Sequence, residues 1–287
     1  MLLLDVAALA SEQWGLVTTA QAAEVGASAK MMARWANEGA LERLAHGVYK
    51  LAGAAHDPRE DLRVAWLSLD PHRAAADRIS SEPIDAVVSH RSAARLHELG
   101  DLDADLHQFT VKGRKQSRRS DVRIRHRGEG LDRRSWTLVG GLPVTTVLVT
   151  IADLAADGTD GGHLAGVVRD AIATSAVDLA KLSEALRPYA HRYGAPTGDG
   201  LALVQRLLDE APLPPSTVQA AELMTVDRQS AASRKLAGVD PAPLRAISEL
   251  TSDPETLRAI DAISSPQMRR DLDHLQEALA TIRRATR

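Results

Sequence analysis

The pattern of apolar and polar positions divides the chain before composition is considered. Residues 2–13 place Leu, Val and Ala at helical spacing, and Gly15 closes the run. Thr18 and Thr19 suit the N-cap of a short helix over 20–25, Gly26 breaks it, and Ser28 caps a further helix that Gly39 ends. Residues 41–44 and 48–51 read as two short strands around His46-Gly47, where glycine accepts the positive φ of a tight turn. Three helices followed by a hairpin is the order of a winged helix-turn-helix.

Residues 52–58 read as a linker, and Asp57 is placed to cap a helix that reaches Leu69, with Pro71 beyond it. Residues 86–88 form a buried strand feeding a helix capped at Ser89. Segments 106–111 and 122–125 are β-like and flank the most basic stretch of the chain, as a hairpin or as adjacent strands with a basic connection. After Gly140-Gly141 and Pro143, helices are expected at 146–156, 163–174 and 177–189. The Pro- and Gly-bearing segment 195–200 marks a boundary, beyond which 201–211, 216–236, 241–250, 254–263 and 266–284 read as helix. The expected fold class is α+β and helix-rich. It has three parts: a winged helix-turn-helix over 1–53, an α+β domain over 57–194 and an all-helical C-terminal region over 195–287.

Composition then narrows the classes. A chain of 287 residues buries a sizeable core without staples, and its lack of cysteine excludes a disulfide framework, thiol catalysis and cysteine-ligated zinc. A reducing, cytoplasmic setting fits. Hydrophobic residues at 44% and charged residues at 25% exclude a wholly disordered chain. Residues 1–10 are apolar, yet too short for a membrane span and without a basic leader, so they read as a first helix and no membrane partner is expected.

Charge changes the picture more. The net charge of −3 gives no global sign of a nucleic-acid binder. From 112 to 134, however, ten Lys/Arg stand against Asp121, Glu129 and Asp132, a local +7 that leaves −10 for the remainder. A polyanion contact and a solvated loop both fit this segregation.

Candidate site residues follow from facing. If Val25, Ala27, Met32 and Trp35 are buried, Lys30 and Arg34 lie about 200° from Met32 in opposite senses and point away from the core. Ser28 can then donate to a phosphate at the helix N-terminus, while Lys30 and Arg34 can enter a major groove. Arg34 is the better reader of guanine, because its planar fork matches two acceptors. Thr19 is grouped with these, and Arg43 and Lys50 would hold backbone phosphates from the hairpin. Residues 1–55 carry four Lys/Arg against five Asp/Glu, so DNA binding needs the basic stretch on the same side. Lys112, Arg114, Lys115, Arg118, Arg119, Arg123 and Arg125 would supply that charge.

Enzyme signals are poor. His90, His97, His107, His126 and His163 form no metal-ligand spacing, and there is no phosphate-binding loop, nucleophile elbow or dinucleotide fingerprint. The triplets Asp101-Leu102-Asp103 and Asp271-Leu272-Asp273 read as surface acids. No catalytic residue, cofactor or metal is expected.

Ordered motifs carry a resemblance. Thr19-Ala20-Gln21-Ala22-Ala23, Gly39-Ala40-Leu41-Glu42-Arg43-Leu44 and Gly47-Val48-Tyr49 resemble the N-terminal winged helix of AbiEi-type antitoxins of type IV toxin–antitoxin systems. Val88-Ser89-His90-Arg91-Ser92-Ala93-Ala94, Leu99-Gly100, Gly141-Leu142-Pro143-Val144-Thr145-Thr146, Ala152-Asp153-Leu154 and Val168-Arg169-Asp170-Ala171 extend the likeness over residues 15–190. The resemblance implies an antitoxin that represses its own promoter by binding operator DNA and counters a cognate nucleotidyltransferase-like toxin; a homodimer on DNA is compatible with it. The chain departs from the pattern at Val149, where relatives often carry arginine, so Asp153 needs another partner or stays exposed. Ser89-His90-x-Ser92 resembles a catalytic string but reads as a helix cap followed by an exposed polar turn. The alternatives are a winged-helix transcriptional regulator without a toxin partner and a pure protein-interaction module.

Overall fold

The computed structural model describes residues 1–128, 131–175 and 177–212. The helices expected at 216–236, 241–250, 254–263 and 266–284 lie outside the described residues.

The head runs α1 (Leu2–Ser11), β1 (Leu16–Thr18), α2 (Thr19–Glu24), α3 (Ala29–Asn37), β2 (Leu41–Ala45) and β3 (Val48–Leu51). Thr18 caps α2 through a reciprocal capping box with Gln21, and Ser28 caps α3 by accepting from the Met31 amide. Gly15 at φ 76° and Gly47 at φ 72° make the turns the sequence assigned to them. The strand Leu16–Thr18 is an addition to the expected elements: it pairs antiparallel with β3, giving the sheet order β1-β3-β2.

Strands β1 and β3 of that sheet are buried on both faces, whereas Glu42 and Arg43 of β2 are exposed. Val17, Tyr49 and Leu41 join Val6, Ala10, Ala22, Met32 and Trp35 in the core of the head. Leu16 and Val48, on the opposite face by strand alternation, join Leu62, Trp66 and Phe109 in a core that belongs to the rest of the molecule.

The body begins with α4 (Glu60–Leu69) and α5 (Ala75–Ser80). It continues through β4 (Ala86–Val88), α6 (His90–Leu96), β5 (His107–Val111), β6 (Val122–His126), β7 (Trp136–Val139), β8 (Leu142–Thr145), α7 (Val147–Ala156), α8 (Gly161–Ser175), α9 (Leu179–Leu186), a 3-10 turn over Arg187–Tyr193 and α10 (Gly200–Glu210). Its five strands lie in the order β6-β5-β4-β8-β7. The fold class is α+β, as expected. Asp57 does not cap α4 through an N-cap hydrogen bond; Arg59 holds that position and Asp57 accepts from its amide. Between β7 and β8, Gly140 and Gly141 both take positive φ, the requirement of a two-residue primed turn.

Of the two arrangements left open for β5 and β6, the structure takes the adjacent one. The strands are parallel, His107 opposite Val122, so the basic residues between them form a crossover connection and not a hairpin turn. Helices α7 to α10 pack with Ala94 and Leu99 into a second, all-aliphatic core. Gly100 at φ 66° approaches Val167 so closely that a Cβ would sit 2.6 Å from its Cγ2, and its amide donates to Asp170 Oδ2 at 2.8 Å.

Candidate nucleic-acid interface

The geometry of α3 matches the facing argument. Met32 and Trp35 are buried, whereas Ser28, Lys30 and Arg34 are exposed. The Ser28 hydroxyl accepts from Met31, leaving its own proton to donate outward. Arg34 faces Glu38 at 3.5 Å across the surface, a solvent-screened pair that costs little to exchange for another anion. Thr19 opens α2, half-buried, with its amide bonded to the Gly47 carbonyl at 2.8 Å, so the start of α2 abuts the hairpin tip. Arg43 is exposed on β2.

Lys50 requires correction. It is 6% exposed, and its ammonium lies 2.6 Å from the Glu60 carboxylate of α4. Alternation along β3 puts it on the face with Val48, which the body covers; it holds head to body and is not presented to a phosphate.

The basic stretch is less free than its count suggests. Lys115 pairs with Asp85 at 2.7 Å and Asp70 at 3.6 Å. Arg119 grips Asp121 through two nitrogens, which holds that carboxyl below its usual range. Arg125 pairs with Asp157, Arg127 with Asp153 at 2.9 Å, and Arg133 lies 4.2 Å over the Trp136 ring. Asp70, Asp85, Asp153 and Asp157 all come from outside the stretch, so folding returns part of the −10 remainder onto the +7 segment. Lys112, Arg114, Arg118 and Arg123 stay exposed and make no ion pair among the described residues.

The connection nevertheless reaches the head. A cleft of about 520 Å³ is bounded on one side by Thr19, His46 and Gly47 and on the other by Gln116, Arg118 and Arg119. The hairpin tip, the start of α2 and the basic connection thus form the walls of one depression.

The motif Ser89-His90-x-Ser92 is buried, in contrast to the exposed turn expected. Ser89 holds the N-cap position of α6 but makes no side-chain capping bond; its hydroxyl instead accepts from Thr110 Oγ1 and meets His90 Nδ1, both at 2.9 Å. Ser92 donates to the Leu106 carbonyl and accepts from the Gln108 amide. These hydroxyls tie α6 to β5. Asp153 is buried too, and its partner is Arg127, whose Nη2 donates to Asp153 Oδ1.

His90 and Asp153 are perturbed in opposite senses. Burial drives the His90 imidazole down to about 4, with the nearby Arg125, Arg127 and Arg123 adding to it against Asp157. Burial drives the Asp153 carboxyl up to about 6 against the pull of Arg127, and its Oδ2 is buried without a hydrogen-bond partner among the described residues. As pH falls from 6.5 towards 4, the unfolded chain takes a proton at His90 that the folded chain refuses, and stability is lost. As pH falls from 6 towards 3.8, the folded chain takes one at Asp153 that the unfolded chain does not, and stability is gained. Asp153→Asn removes only the gain. Between pH 6 and 4 its unfolding free energy should therefore fall more steeply than the parent's, by about 1 kcal/mol per pH unit in urea titrations. Equal slopes would refute the burial of an ionisable Asp153.

Among the described residues, no group of three His, Asp or Glu is placed to hold a metal ion, and no helix is long and apolar enough to cross a membrane. No curated protein matches the chain. Among solved structures, the RV2827C protein from Mycobacterium tuberculosis is similar at 20% identity with a TM-score of 0.43, over 76% of this chain and 78% of that one. Residues 5–52 match the family described as "Transcriptional regulator, AbiEi antitoxin". The matched segment is the head, and over that segment it bears out the recognition of an AbiEi-type antitoxin.

Proposed function

We propose that residues 1–53 form a winged helix-turn-helix that binds operator DNA, and that the chain is the antitoxin of a type IV toxin–antitoxin pair. In this reading it acts in the cytoplasm and represses its own promoter. It counters a nucleotidyltransferase-like toxin, and the catalysis resides in that partner. The DNA half rests on the cleft that joins the hairpin tip to the basic connection. The head alone carries four Lys/Arg against five Asp/Glu over residues 1–55, and binding strength on DNA comes chiefly from phosphate neutralisation. Arg118 and its exposed neighbours beside the head make up that deficit. The antitoxin half is supported by the family match over residues 5–52 and by the resemblance of the body's motifs.

Gel shifts with the DNA upstream of the gene test the reading. Lys30→Ala with Arg34→Ala should weaken specific binding about 100-fold, at roughly 1–3 kcal/mol for each groove contact, with thermal unfolding unchanged. Arg114→Ala with Arg118→Ala should weaken all DNA alike and lower the slope of log affinity against log salt by about two. Unaltered affinity in the first variant would overturn the DNA assignment. Failure of the chain to relieve growth arrest by the toxin encoded beside it would overturn the antitoxin assignment.

A further inference from the structure

The seam between head and body is built from two buried glutamines, each 4% exposed. Gln13 Nε2 donates to Gln21 Oε1 at 2.6 Å and to the Leu16 carbonyl at 2.9 Å, and Gln13 Oε1 accepts from Gln21 Nε2 at 3.3 Å and from the Ala75 amide at 3.1 Å. Gln21 Nε2 also donates to the Arg73 carbonyl at 3.0 Å, and its Oε1 accepts from the Thr18 amide at 3.0 Å. Both donors and both acceptors of each amide are used, and two of the bonds reach the body backbone. Thr18 Oγ1 adds a third, to the Pro71 carbonyl, and the buried Lys50–Glu60 pair adds a fourth link. A fully satisfied buried network admits one arrangement of its parts, since any slip leaves amide groups unpaired at about 1–3 kcal/mol each. Segment 71–75 follows α4, and both Ser68 and Pro71 line the floor of the cleft that Arg118 closes.

We propose that Gln13 and Gln21 are positioning residues for DNA recognition: they fix the head at one spacing from the Gln116–Arg119 connection, so that hairpin tip and connection engage one stretch of phosphate backbone together. The head is thus a fixed reader and not a tethered one. The inference rests on the DNA-binding reading, but its first test does not. Because the chain has no cysteine, spin labels at Glu42→Cys and Arg95→Cys, both exposed positions, report head-to-body distance without interference. One narrow distance is expected in the otherwise unaltered chain, and a broad distribution there overturns the proposal.

Ala75→Pro removes the amide that Gln13 accepts from, at a first helical position that tolerates proline and behind an extended Ala74. It should broaden the distance and lower the salt slope by about two, as Arg114→Ala with Arg118→Ala does, and the three changes together should lower it no further. A merely stabilising seam would lower the melting temperature and leave the slope unchanged; that result, or additive slopes, overturns the proposal. If Ala75→Pro does not fold, Gln13→Met, of similar length and without the amide, gives the same readout. If Lys30→Ala with Arg34→Ala leaves DNA binding intact while the spin labels report one distance, the operator reading fails and the fixed seam stands.

Discussion

Arg78→Met is expected to destabilise the protein by about 3–5 kcal/mol, the cost of breaking a buried ion pair by removing one partner. Arg78 is fully buried, its guanidinium carbon 3.6 Å from the centre of the Trp66 ring. Its Nη1 donates to the Trp66 carbonyl at 2.8 Å and its Nε to Asp85 Oδ1 at 3.4 Å. Nη2 lies 3.3 Å from Asp85 Oδ2 but is not aligned as a hydrogen bond. Burial pushes the Asp85 carboxyl up, yet Arg78 and Lys115 together hold it below its usual range. Methionine fills the space and removes the charge, so Asp85 is left with Lys115 alone. The consequence reaches the surface, because Lys115 anchors the basic connection through Asp85 and Asp70. Urea unfolding monitored by Trp fluorescence measures the loss. A change under about 1 kcal/mol would place the pair among ordinary surface contacts.

The elements of the head were legible because each boundary has a local cause: Thr18 and Ser28 cap, while Gly15 and Gly47 turn. Leu16-Val17-Thr18 was not, since three residues cannot display alternation. That one missed strand hides why Lys50 is buried: a third strand widens the sheet, and its second face goes to the body. Lys50 in a short exposed hairpin and Lys50 in a covered sheet have the same local sequence. The basic stretch failed in a related way. Counting charge along the chain sees Asp121 but not Asp85 or Asp157, which fold in from a distance to meet Lys115 and Arg125. The body's motifs were legible as a set, and the structure supplies a reason. Gly100 and Asp170 bond to each other, Ser89 and Ser92 fasten α6 to β5, and Thr145 Oγ1 meets Thr150 Oγ1 at 2.7 Å where β8 enters α7. They are junction residues, and a catalytic appearance such as Ser89-His90 arises from a buried hydroxyl network.

A chain ending at residue 194 should fail to fold, whereas one ending at 212 should fold cooperatively. The Pro- and Gly-bearing segment 195–200 has the composition of a boundary, but the helix after it belongs to the body. Leu203, Val204 and Leu207 of α10 are 0%, 3% and 1% exposed and share a core with Leu164, Val168, Leu182 and Leu186. Approach is close enough that a Cβ on Gly200 would lie 1.9 Å from the Ser183 carbonyl oxygen, so the glycine that reads as a linker residue is a packing residue. Removing the three apolar side chains forfeits about 5–9 kcal/mol of burial, at roughly 1.5–3 kcal/mol each. Native stabilities are about 5–15 kcal/mol, so little or nothing would remain. Both shortened chains lack residues 213–287, and the comparison therefore isolates α10. Calorimetry should give a single transition for the longer chain and none for the shorter. A cooperative transition in the chain ending at 194 would show that α7 to α9 close their core without α10, and would restore the boundary the composition suggests.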